Sequence, residues 1–136
     1  MPFKIYFDKL VRGKTVATFS KEGAFSNYQK LTGKKLINSL KDKLVEEALE
    51  VKSAVDKNEL IEEMADVMQV IIDMCSTCNI NQKDIENSRK EKLGRKGGFE
   101  DGIFMESITV KTNNHLVEYC RKQKDKYKIE EYYDHA

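Results

Sequence analysis

A mainly α-helical fold is what this 136-residue sequence predicts: a bundle core with a small β accessory, assembled as an oligomer. Three observations lead there. Apolar residues from Leu36 onward recur at the three- and four-residue spacing of one helix face. The stretch from Glu59 to Cys78 is apolar on most sides, and in so short a chain that points to burial against a second subunit, in a homodimer or homotetramer. The first twenty residues follow a different rhythm, with Phe3, Ile5 and Phe7 alternating with Lys4, Tyr6 and Asp8 as in a strand.

The elements follow in order. Arg12-Gly13-Lys14 can turn the chain, and Thr15 to Phe19 is β-branched and aromatic, so a small hairpin is expected. Lys21 to Lys35 reads as loop, with a short helix around Ser26 to Leu31. The first long helix carries the stripe Leu36, Leu40, Leu44, Ala48, Val51 and Val55. Asp56 followed by Glu59 has the spacing of a capping box, with Asn58 as a competing cap, and starts the second long helix. Asn79 or Asn81 can cap a third helix through Asp84, Ile85 and Arg89, stopped by Gly94 or by Gly97-Gly98. Ile103 to Val110 has strand composition, and Asn113 or Asn114 can open a last helix with Leu116, Tyr119 and Cys120. The domain is expected to span residues 1–110, followed by a helical extension over 111–136.

Charge and composition exclude several classes. Twenty-four basic residues stand against twenty-three acidic ones, a net charge of +1, which argues against a nucleic-acid coat and for no nucleic-acid partner. The longest mostly apolar stretch, Val67 to Met74, contains Gln69 and Asp73 and is too short to span a bilayer. The N-terminus has no apolar signal core, so a cytoplasmic protein with reduced thiols is expected. Cys75-x-x-Cys78 has no second pair nearby; only Cys120, His115 and His135 could complete a zinc site, and small core residues are the expected role. No P-loop and no Ser/His/Asp motif is present.

The acids on the two long helices carry the information. Projected at 100° per residue, Glu47 falls inside the apolar stripe of the first helix and Glu50 at its edge one turn on. Glu63 falls beside Val67, Val70 and Met74 on the second helix, and Asp66 lies at that face's edge. The short link between the helices makes them pack antiparallel, which brings the four carboxylates together. Even one unpaired buried charge costs on the order of several kcal/mol, so something must neutralise them. A hard divalent cation with oxygen ligands is the natural partner, and such a site suits phosphate chemistry. Glu46, Glu59 and Glu62 have the spacing of an ordinary solvated face.

Glu46-Glu47-x-x-Glu50, then twelve residues, then Glu63-x-x-Asp66 within "ELIEEMADVMQVI" resembles the metal-binding signature of the MazG-like all-α nucleoside triphosphate pyrophosphohydrolases. "KLVRGK", Lys9 to Lys14, and "RKEKLGRKGGFEDGIFME", Arg89 to Glu106, resemble a phosphoribosyl-ATP-pyrophosphohydrolase-like subgroup. Gly13 stands where that subgroup usually has Asp, and Thr15-Val16 replace its isoleucine-proline. The resemblance implies a MazG-like bundle in which Glu47, Glu50, Glu63 and Asp66 hold Mg²⁺, with Mn²⁺ as a substitute. It implies attack of water on the α-phosphorus, with Glu46 or Glu47 activating the water, and release of pyrophosphate from a nucleoside triphosphate. Arg89, Lys90, Lys92, Arg95 and Lys96 form a basic cluster; beside the acids, Lys92 and Arg95 are favoured for phosphate, with Lys9 and Arg12 behind them. Asn87 is placed to touch base or ribose. The role expected is removal of unwanted nucleotides; the alternatives are phosphoribosyl-ATP hydrolysis in histidine biosynthesis and a noncatalytic helical module that binds a nucleotide or protein.

Overall fold

The computed structural model describes residues 1–123 and 125–131, and His135 lies outside them. Among the described residues there are five helices and no strand: α1 Thr15–Lys21, α2 Gly33–Ser53, α3 Lys57–Thr77, α4 Gln82–Lys96 and α5 His115–Arg121. The chain divides into two compact units, residues 1–95 and 96–136. No helix among the described residues is long and apolar enough to cross a membrane.

The first unit is built on α2 and α3. Both are 21 residues long, and Ala54, Val55 and Asp56 link them. Asp56 caps α3, its carboxylate accepting from the Glu59 amide at 2.9 Å, while the Glu59 carboxylate accepts from the Val55 amide at 2.9 Å. This reciprocal pair satisfies backbone donors that a helix start leaves open, as the spacing predicted. α3 closes with Asn79 in the left-handed region (φ 55°) and the Ile80 amide donating to the Cys75 carbonyl at 2.9 Å. That is the Schellman arrangement, with Asn in the position usually given to Gly.

Leu40 of α2 and Val70 and Cys75 of α3 are the buried apolar residues, and Glu47 is buried with them. Ala48 is exposed, and Val55 lies past the end of α2 and is 89% exposed, so the stripe on α2 is narrower than its periodicity predicted. The outer side of α3 is open: Ile61, Met64 and Met68 are all more than half exposed in the single chain.

The predicted hairpin is corrected by the structure. Thr15–Lys21 is helical, and residues 1–14 pair with no strand. The Thr15 amide donates to the Arg12 carbonyl at 3.0 Å and the Thr18 hydroxyl to the Lys14 carbonyl at 3.1 Å, so the backbone bonds of this segment are local. Phe7 still meets Phe19, edge to face at 5.7 Å, which is the side-chain contact a hairpin would also have made. The short helix expected at Ser26 to Leu31 is irregular chain. α4 opens with the Asn81 side chain accepting from the Lys83 amide at 3.0 Å and buries none of its residues.

In the second unit Gly97 takes the left-handed conformation (φ 79°) just after α4, the stop that the Gly97-Gly98 pair predicted. Ile103 to Val110 forms no strand despite its composition, because no neighbouring segment supplies a ladder. Asn114 caps α5, accepting from the Leu116 amide at 2.9 Å.

Candidate functional site

Glu47 projects from the inner face of α2, where it is only 9% exposed. Glu63 and Asp66 project from α3, one turn apart and half-buried. Glu47, Glu63 and Asp66 each offer a carboxylate oxygen, and these oxygens lie within 4.8 Å of one another. The arrangement follows from the spacing: residues three apart share a helix face, and the short link folds that face of α3 onto α2. Glu50 is exposed and is not one of the three, but its charge reaches them. The Glu63 carboxyl is held above the ordinary range, first by loss of water and then by repulsion from Glu50, Asp66, Glu47 and Glu62.

Cations from the N-terminal segment and from α2 pair with these acids. Lys9 Nζ donates to Glu46 Oε1 at 2.7 Å, and Arg12 Nη2 donates to Asp66 Oδ1. Lys43 reaches both Glu46 Oε2 and Glu47 Oε1 at 3.3 Å. The hydrogen bond from Lys9 is the main cause that holds the Glu46 carboxyl below its ordinary value, and the same bond raises the Lys9 ammonium. Lys43 was absent from the sequence reading, although its spacing of three and four residues from Glu46 and Glu47 is the signal that marks it.

The remaining basic candidates lie elsewhere. Arg95 pairs with Glu91 at 2.9 Å and Arg89 with Glu86 at 2.6 Å, both within α4. Lys92 lines a shallow depression with Asp84, Ile85, Ser88 and Arg89. Among the described residues, no hydrogen bond or ion pair joins Asn87, Lys92 or Arg95 to the carboxylates of α2 and α3. Cys75 is buried, Cys78 half-buried, and both are free thiols.

Three clustered carboxylates, one of them inside an apolar face, form an all-oxygen donor set. Such a set suits a hard divalent cation and offers nothing to a soft one. Lys43 and Arg12 offset part of the charge, while Glu50 and Glu62 add to the negative field at Glu63. The residues therefore fit a hard divalent cation, which Glu47, Glu63 and Asp66 could hold.

Comparison with known proteins bears on this geometry. Residues 5–92 match the model of the family described as phosphoribosyl-ATP pyrophosphohydrolase. No match was found among curated proteins or among solved structures. The matched region contains the N-terminal basic segment, both carboxylate-bearing helices and most of α4. With that span covering well over half of the sequence, the chain belongs to the phosphoribosyl-ATP pyrophosphohydrolase family and is a hydrolase of phosphoric anhydride bonds.

Proposed function

We propose that the protein is a Mg²⁺-dependent nucleoside triphosphate pyrophosphohydrolase that cleaves between the α and β phosphates and serves to clear unwanted nucleotides. The observation that carries this reading is the convergence of Glu47, Glu63 and Asp66 oxygens within 4.8 Å on two adjacent helices. When bound there, a divalent cation supplies neutralisation of charge on the phosphate oxygens. Glu50 stands one turn beyond Glu47, is exposed, and adds its charge to the cluster as the fourth proposed ligand.

The chain's own groups do the rest. A water loses its proton as its oxygen bonds to the α-phosphorus, the bond from that phosphorus to the bridging oxygen breaks, and pyrophosphate departs. Lys43 reaches both acids, but the short bond from Lys9 is particular to Glu46 and favours its ionised form, so Glu47 is assigned the water. Glu46 then serves to hold the two lysines. Lys9 and Arg12 supply cationic donors beside the acids, and Asn87, Lys92 and Arg95 on α4 are kept as contacts to the nucleotide's outer parts. Positioning and electrostatics supply most of the acceleration in such phosphoryl chemistry.

A second reading is favoured by the family match itself: phosphoribosyl-ATP as the substrate, as the family's description states. Both readings share the bond cleaved. Membership of a hydrolase family leaves the noncatalytic module without support. The open outer face of α3 supports a homodimer or homotetramer.

The test is pyrophosphate release from a panel of canonical and modified nucleoside triphosphates and phosphoribosyl-ATP, with Mg²⁺, with Mn²⁺ and with chelator. Metal-dependent release of pyrophosphate and a monophosphate is the expected result, and the preferred member of the panel decides between the readings. Release that persists unchanged in chelator would sink the metal assignment.

A further inference from the structure

The segment from Phe7 to Thr15 is fixed at both ends. Phe7 packs on Phe19, and the Thr15 amide closes the first turn of α1 on the Arg12 carbonyl. Asp8 bends the chain sharply (φ 48°) just before Lys9. Between these anchors Lys9 reaches an acid of α2 and Arg12 an acid of α3. The two cations thus bridge the same pair of helices that the carboxylate cluster spans, and Arg12 bonds directly to Asp66, one of its three members.

We propose that Lys9 and Arg12 clasp α2 to α3 and that the Arg12 arm of this clasp is exchangeable: it is displaced from Asp66 when a divalent cation enters, while Lys9 stays on Glu46. The inference rests on the metal reading of the cluster given above. A guanidinium and a divalent cation on one carboxylate repel each other at close range, and part of the metal's binding energy is spent in moving the guanidinium aside. Arg12 is well placed to leave, since its side chain is 65% exposed and its one bond to the cluster is at the rim. Metal entry and release of Arg12 are then a single event, which frees the guanidinium for the phosphate role proposed above while Lys9 stays on Glu46.

The experiment is calorimetric titration of the full chain with Mn²⁺ alone, comparing the unaltered protein, Arg12→Gln and Lys14→Gln. Lys14→Gln removes the same charge from the same segment without touching Asp66. Arg12→Gln should bind Mn²⁺ more tightly by roughly two- to fivefold, the scale of an exposed ion pair, and Lys14→Gln should match the unaltered protein. Equal Mn²⁺ affinity in all three, or weaker binding by Arg12→Gln, would overturn the clasp and leave the metal site standing. Absence of Mn²⁺ binding in the unaltered protein would overturn both. A readout on the unaltered chain guards against a folding artefact. The Arg12 Nε–H resonance should shift and exchange faster with water on saturation with Mg²⁺, and a resonance that does not move contradicts the proposal.

Discussion

Glu63 sits half out of water beside Glu47 and Asp66, and its neighbours Glu50 and Glu62 add to the repulsion. Its folded-state proton affinity is raised above the ordinary carboxylate value of 4.5. At Glu63 the folded protein therefore holds more proton than the unfolded chain just above that pH, so this group's contribution to stability falls as pH rises through that window, opposite in sign to the contribution of Glu46. Glu63→Gln removes the repulsion while keeping the shape. In chelator it should melt at a higher temperature than the unaltered protein, while its turnover with Mg²⁺ falls by on the order of a hundredfold or more. Metal binding should also release protons just above pH 4.5, measurable as a dependence of the calorimetric heat on the buffer's ionisation enthalpy. Much of this site was legible in the sequence, because helical spacing alone put Glu47, Glu63 and Asp66 on facing stripes. The contacts of Lys9 and Arg12 were not. They join residues 37 and 54 positions apart, and no periodicity marks a contact of that range.

At the level of elements, the start of α3 decides where its carboxylates point, since the cap at Asp56 fixes the helix register three residues after α2 ends. Asp56→Ala should cost about 1 kcal/mol in denaturant unfolding, the usual loss for an N-cap, and lower metal affinity by loosening the pairing of α2 with α3. The three helices from α3 onward were readable for the same reason that this cap was: Asp56, Asn81 and Asn114 carry local hydrogen-bond chemistry that needs no tertiary partner, whereas α2, whose Thr32 makes no side-chain cap bond, was readable from its apolar spacing. The strands were misread because strand composition records only a preference for a pleated surface. Thr15 to Phe19 satisfied its backbone inside α1, and Ile103 to Val110 found no ladder to join.

On the scale of the molecule, the single chain leaves Ile61, Met64 and Met68 of α3 more than half exposed, three apolar residues at the spacing of one helix face. Met68→Asp should convert the expected dimer or tetramer to monomer by light scattering; a protein that is monomeric before the substitution would remove the assembly from the proposal. The hairpin of α2 and α3 has a second consequence. Glu47 and Asp66 are brought together across a link of only Ala54, Val55 and Asp56. Closing so short a loop costs little entropy, and short-range contacts form early in folding. On that argument the carboxylates are expected to meet before Lys9 and Arg12 arrive from far along the chain, with only Lys43 of α2 offsetting the like-charge encounter. In chelator, the refolding rate measured by stopped-flow should therefore rise with added salt, as screening lowers a barrier that the finished structure no longer displays.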